Sequence, residues 1–387
     1  MLVSGTCDNG AVKWKITKDG TLTVSGQSNI AVKTTYPWTK YFRDITKIVV
    51  EGGITNIPKN AFSHLHDVTS IIIGDGVKTI EQYAIQNCSN LTSVNIAASV
   101  ETIEQWAFAS CKKLTEVKFA DGSQLTTIGE RSFQQTALRE FDAPDNLQTI
   151  EYGAFMDCKQ LESIRLDGAL STIEERAFNN CTGLKNVYFG ESIVFLGDLV
   201  FDGCTGITKL EDYCPAVMSF THLENLTTVV IGGNRTSTSR YGYCPKLTNV
   251  TILSPITEIA SGAFIHCTAL TNFTIPETVT VIGKNAFYCS GITSITIPNR
   301  VTTIGDSAFK STSIKTITIP ASVTKIDQYA FWQSSLEEII FLGDCPIEKR
   351  KTIFPSDGIT GYYPAGNATW TEEILNSYAN DVTWVAQ

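Results

Sequence analysis

Apolar residues recur along this chain with a period of 22–23, and inside each period the spacing changes character. Aligned on Phe62, the equivalent positions are Ile85, Phe108, Phe133, Phe155, Phe178, Phe201, Phe220, Tyr241, Phe264, Phe287, Phe309 and Phe331, making 13 units spaced by 19–25 residues. Ile or Leu stands five residues before the anchor in 11 of 13 units, and Ala directly precedes it in nine. Segments such as Val94–Ile96 and Ile295–Ile297 alternate apolar and polar residues and are rich in β-branched side chains, which predicts short strands. A turn follows, carrying Pro276, Pro298 or Pro320 in three units. The segment Val100, Ile103, Ala107, Phe108, Cys111 then spaces its apolar residues by 3, 4, 1 and 3, which predicts one or two irregular or helical turns with the apolar side inward. One such coil cannot bury its own apolar face, whereas stacked coils bury a continuous column. Thirteen coils at ~4.8 Å per paired strand predict a parallel sheet about 60 Å long.

The segment Ile103-Glu-Gln-Trp-Ala107-Phe108-Ala-Ser-Cys111 followed by Leu114-Thr-Glu-Val117-Lys-Phe119 resembles the leucine-rich repeat, specifically its BspA-like bacterial branch. Trp14 to Gly26 with Pro37-Trp38 is similar to that family's N-terminal cap, and Tyr362 to Trp370 with Val382-Thr-Trp384 to its C-terminal cap. The resemblance implies an α/β-type repeat solenoid, a right-handed leucine-rich-repeat coil with a parallel β-sheet on one face, capped at both ends. The implied organisation is an N-terminal β cap over 1–46, about 13 repeats over 47–343 that are irregular at 205–241, and a C-terminal cap over 344–387. It also implies a secreted or cell-surface protein used for adhesion.

The residues of the ends support covers independently. Val12, Trp14 and Ile16, a Lys18-Asp19-Gly20 turn, then Leu22 and Val24 predict a β-hairpin. Thr369 to Glu372 fits a helix capping box, with Trp370, Ile374 and Tyr378 on one helix face. An open solenoid needs covers over its terminal coils.

Composition narrows the partners. With 39 acidic against 30 basic residues and no basic block, the net charge of −9 argues against nucleic acid or an anionic membrane surface. No run of 18 apolar residues occurs, so no membrane insertion is expected. The opening MLVSGTCDNG lacks a basic stretch and a long apolar core, so it does not read as a secretory leader. Seven of the 11 cysteines occupy one repeat position, three after the anchor, alternating with Leu, Ser and Thr elsewhere. That alternation marks a small buried site of reduced thiols, since ladder neighbours ~4.8 Å apart miss the ~3.8 Å Cβ separation of a disulfide. Cys7, Cys214, Cys289 and Cys345 lie off this ladder, and a local pairing of Cys7 or Cys345 stays open.

Candidate chemistry is sparse. His64 and His66 lack a third ligand at a metal-site spacing, and His222 and His266 sit at a repeat position two after the anchor. No nucleophile-elbow, zinc-protease, phosphate-loop or dinucleotide motif appears, so no catalytic residue, cofactor or metal is expected. The informative surface is the outward side of the strands. By alternation it presents Glu116 and Lys118, Glu140 and Asp142, Ser163 and Arg165, Asn186 and Tyr188, then Lys209 and Glu211. Farther on it presents Asn249 and Thr251, Asn272 and Thr274, Ser294 and Thr296, Thr316 and Thr318. Charge with an aromatic on a rigid sheet is the composition of a recognition patch, while a threonine stripe follows from strand propensity alone.

The expected function is non-enzymatic attachment to a host extracellular-matrix or microbial surface protein, or to a glycan, by a monomer using its strand-lined concave face. Glu116, Lys118, Glu140, Asp142, Arg165, Tyr188, Lys209 and Glu211 are the candidate partner-binding residues. A rigid spacer in a surface assembly is the alternative. A glycan-active enzyme using Glu140 and Asp142 is a remote one, because nothing in the sequence separates the two carboxylates into acid and base. The stretch Gly232 to Arg240, where spacings shorten, reads as a decayed repeat or a protruding loop, decay being favoured.

Overall fold

The alternating segments form strands, and they pair in parallel because each coil returns the chain to the same edge one repeat later. The computed structural model describes residues 3–215, 217–348, 352–356, 358–378 and 381–387, within two compact units, Met1–Ile207 and Thr208–Gln387. In the first unit Lys47–Val50, Ser70–Ile73, Ser93–Ile96 and Glu116–Phe119 pair in sequence, with Ile71, Val94 and Val117 in register. A second run joins Glu140–Asp142, Ser163–Leu166 and Asn186–Phe189. The predicted N-terminal hairpin forms from Val12–Ile16 and Thr21–Gly26, Trp14 opposite Val24, and Val3–Cys7 adds an antiparallel neighbour. In the second unit Lys209–Asp212, Thr228–Ile231 and Asn249–Ile252 pair, as do Thr316–Ile319, Glu338–Phe341, Ile359–Tyr363 and Val382–Ala386.

The α/β-type expectation requires correction: the coils return through turns, and the one α-helix among the described residues is the six-residue Glu372–Ser377. The cause lies two residues either side of the anchor. Around Phe108 these are Trp106 and Ser110, around Phe133 Arg131 and Gln135, and around Phe309 Ser307 and Ser311, all with φ between 50° and 61°. Left-handed residues recurring at this spacing cannot continue a right-handed helix. The backbone is satisfied between coils instead: Phe108 N–H donates to Ser132 O at 2.7 Å and Phe155 N–H to Ala177 O at 2.8 Å. The isoleucine five before the anchor belongs to a further parallel ladder of two-residue strands, Thr79–Ile80, Thr102–Ile103, Thr127–Ile128 and Thr149–Ile150 among them. Two β-branched residues per coil carry that ladder, too short a run to show period-2 alternation in sequence.

The anchors form columns of stacked rings. Phe108, Phe133, Phe155 and Phe178 follow one another at 5.1–5.3 Å in the first unit, and Phe264, Phe287, Phe309 and Phe331 at 5.4–5.6 Å in the second. The ladder cysteines sit beside them and all 11 thiols are free. Cys111 Sγ donates to Ile85 O at 3.2 Å and Cys181 Sγ to Phe155 O at 3.2 Å, so each thiol satisfies the carbonyl of the preceding anchor. Off the ladder, Cys7 Sγ rests against Asp8 and Cys345 Sγ against Ile347 O.

The irregular stretch does not protrude. Arg235, Thr238 and Ser239 are buried, and Arg235 makes a paired contact with Asp212, Nη2 to Oδ1 at 2.8 Å and Nη1 to Oδ2 at 2.9 Å. Asp212 takes an inward strand position that is apolar in most coils, and Tyr241 Oη donates to it at 2.6 Å. Tyrosine replaces phenylalanine at this anchor because a buried carboxylate needs donors on every side. Arg235 also donates to Cys214 O. At the C-terminus the helix cap is Thr371, whose Oγ1 accepts from Ile374 N–H at 3.3 Å. The expected cap, Thr369, instead accepts from Cys345 N–H, and Trp370 turns inward with Nε1 donating to Gly343 O, so the helix starts two residues later.

Candidate functional site

The outward positions on the strands of the first unit fall where alternation puts them. Glu116 and Lys118 are exposed and pair with each other at 3.0 Å. On the next strand Glu140 and Asp142 are exposed on either side of buried Phe141, and neither makes an ion pair among the described residues. Parallel register sets Asp142, Arg165 and Tyr188 in one outward row over three neighbouring strands. The Arg165 guanidinium lies 4.0 Å from the centre of the Tyr188 ring while its Nε contacts Asp167 at 2.6 Å. Desolvation works to lower the Arg165 pKa, and the negative charge of Asp167 with Tyr188 outweighs it, so the value is raised. The structure thus brings six of the candidate residues onto the face of one unit. Lys209 and Glu211 belong to the second unit, where they pair with each other at 2.6 Å.

The single continuous parallel sheet expected from 13 stacked coils does not form on this face. The ladder is interrupted between Glu116–Phe119 and Glu140–Asp142, which lie in different sheets. A cavity of ≈ 970 Å³ occupies the gap, floored by Phe133, Leu138, Phe141 and Phe155 and rimmed by Glu116, Lys118, Glu140 and Asp142. In the intact ladder Ala120 N–H donates back to Ile96 O and Gly190 N–H to Leu166 O. The residue in that place after Glu140–Asp142 is Pro144, which has no N–H to give. Three more prolines, Pro276, Pro298 and Pro320, hold this place in the second unit. There the main ladder stops after Asn249–Ile252, only an isolated bridge joins Asn272 to Ser294, and regular pairing resumes at Thr316–Ile319. A smaller cavity of ≈ 360 Å³ lies there, lined by Phe273, Thr274, Ser294 and Thr296. Where the ladder stays intact in the first unit, Gly74, Ala97, Ala120, Asp167 and Gly190 hold the place, and none is proline. The prolines were visible in sequence as strand ends; that they open the sheet follows from hydrogen-bond direction.

The histidines are accounted for by neighbours: His64 Nδ1 lies 3.0 Å from Asn87 and His66 Nδ1 3.4 Å from Ser89. His222 stacks on Tyr243 and Tyr243 on His266 along the turn edge. No group of three potential metal ligands forms among the described residues, and no helix there is long and apolar enough to cross a membrane.

The family model described as "BspA type Leucine rich repeat region (6 copies)" matches residues 39–162, 121–219, 148–243 and 234–350. Among solved structures the chain is similar to the pneumococcal vaccine antigen PcpA, at 16% identity with 100% of this chain and 99% of that one covered and a TM-score of 0.47. It is also similar to a leucine-rich repeat protein from Bacteroides ovatus, at 20% identity, 97% and 98% coverage and a TM-score of 0.40. A third likeness is a leucine-rich repeat protein from Eubacterium ventriosum, at 22% identity, 73% and 94% coverage and a TM-score of 0.39. No match is found among curated proteins.

Proposed function

This chain belongs to the BspA type leucine-rich-repeat family, and from that premise we infer that it is a non-enzymatic binding protein, secreted or displayed at a cell surface. It attaches to a protein or glycan of a host or microbial surface through the strand-lined face of its coils. The observation that carries this reading is the row Asp142, Arg165 and Tyr188, with Glu140 beside it. These side chains project from paired strands, so their positions are held before any partner arrives and little ordering entropy opposes binding. Aromatic and arginine side chains are the residue types that anchor interfaces. The reading takes the coil as right-handed. It takes the N-terminal antiparallel strands and the aromatic cluster of Phe341, Trp370 and Trp384 as end caps.

The test is Glu140→Lys, Asp142→Lys and Arg165→Glu combined, with attachment to immobilised matrix proteins and a glycan array measured against wild type. A loss of tenfold or more with unchanged thermal unfolding supports the reading, and unaltered attachment sinks it. The internal pairs Glu116–Lys118, Arg165–Asp167 and Lys209–Glu211 favour a second reading, a rigid spacer whose surface charges satisfy one another. A spacer would show no attachment in wild type either.

A further inference from the structure

We propose that the gap between Glu116–Phe119 and Glu140–Asp142 is a receptor for one extended polypeptide strand bearing basic side chains, which completes the interrupted sheet. The proposal rests on the reading of the strand-lined face as the binding surface and names the class of partner.

Three independent observations meet at this place. The first is backbone chemistry. Glu116 N–H donates to Thr92 O on its own side, whereas Glu140 N–H, its equivalent one coil later, makes no such bond to Thr115 among the described residues. The edges of two parallel strands therefore face each other unpaired, each a template for strand addition. The second is apolar exposure. Val117 and Phe119 are half-buried, while the equivalent Val94 and Ile96, Ile164 and Leu166 in neighbouring coils are buried. Those two side chains lack the cover that the next strand gives everywhere else in this unit. The third is charge. The cavity walls carry the carboxylates of Glu116, Asp121, Glu140, Asp142 and Asp145 against Lys118 and Arg139, so a cationic occupant is favoured.

An inserted strand alternates its side chains between two faces. One face meets the outward carboxylates of Glu116, Glu140 and Asp142. The other meets the floor of Phe133, Leu138 and Phe155 and the uncovered edges of Val117 and Phe119. The matching sequence alternates lysine or arginine with valine or another β-branched residue. Four residues spanning about 13 Å fill the length of the strand edges, and the ≈ 970 Å³ cavity is at the upper end of the ~300–1,000 Å³ common for ligand clefts. The comparable gap in the second unit is lined by Phe273, Thr274, Ser294 and Thr296 and carries one carboxylate, Glu277, against the five of this cavity.

The probe is an acetylated heptapeptide alternating lysine and valine, titrated onto the full chain, with backbone hydrogen exchange followed at Glu116–Phe119 and Glu140–Asp142. Binding should slow exchange at both strands. Replacing the lysines by glutamate should weaken it at least tenfold, and N-methylating alternate peptide amides should weaken it by a similar factor, because strand addition uses those donors. Pro144→Ala, which returns the N–H that can close the gap on Phe119 O, should lower affinity while leaving the charges in place. Absence of binding, indifference to N-methylation, or protection elsewhere on the chain overturns the proposal, as does a glycan competing from the same cavity. If the peptide fails while charge reversal still abolishes surface attachment, the strand receptor is wrong and the binding face stands. If the peptide binds while attachment ignores the reversal, the binding face is wrong.

Discussion

The two units wind the same coil but fill its inward and outward positions differently. In the first, inward strand positions are apolar, as at Ile71 and Ile73 or Ile164 and Leu166, and the outward row of Glu116 to Tyr188 is charged and aromatic. In the second, inward Asp212 is met by Arg235 and Tyr241, while Thr251, Thr274, Thr296 and Thr318 keep much of the outward row neutral. The coil accepts either filling because its backbone bonds run from coil to coil and do not depend on side-chain identity. What it demands inside is volume and satisfied polarity. Outside it demands nothing, which leaves those positions free to specify a partner.

The largest effect lies where that demand is strictest. Arg235→Met strands Asp212 without its countercharge and should cost about 3–5 kcal/mol in urea unfolding. Adding Asp212→Leu and Tyr241→Phe should recover most of it, because the demand is for satisfaction and not for charge. A recovery no better than the single variant would mean that the second unit depends on this ion pair itself.

The next effect is alkaline. Burial pushes the Cys244 thiol up to about 11 and the Cys267 thiol up to about 12, from an ordinary value of 9.0. These thiols stay protonated in the folded chain while the unfolded chain ionises, so their contribution is intact below pH 9 and lost as pH rises toward 12. Cys244→Ala with Cys267→Ala should flatten the fall in stability over that window relative to wild type. An unchanged slope would show that the thiols are not protected by the column.

Smaller effects separate the prolines from the surface. Pro298→Ala restores a ladder donor and should gain about 0.5–1.5 kcal/mol, the net worth of one hydrogen bond, with slower exchange at residues 294–297. A loss of stability would mean that proline rigidity outweighs the missing bond. Last, Thr318→Lys on the neutral row should change stability by less than about 0.5 kcal/mol and leave attachment untouched. A change in attachment would move the binding face into the second unit.

Much of this was legible in the chain itself. The 22–23 residue period, the anchor column and the cysteine ladder are properties of spacing, and spacing survives folding because every coil repeats one backbone path. The outward rows were legible for the same reason, since strand alternation is geometric. The return path was not. A 3, 4, 1, 3 spacing suits a helix as well as a turn, and the left-handed residues that decide against the helix are as varied as Trp106, Arg131 and Leu199. Nor was the inward course of Arg235 legible, because an arginine in a Gly- and Ser-rich stretch looks like a surface loop until its buried partner Asp212 is in place.

The sequence by itself determined the repeat, its period and which side chains face out, because these follow from local periodicity and stacking. Only the tertiary structure decided where the sheet stays closed. That depends on whether the residue after each strand can donate a hydrogen bond backward to a strand a full repeat earlier, a match between positions more than 20 residues apart. Ala120 can and Pro144 cannot, and the difference opens the cavity on which the proposed strand receptor is built.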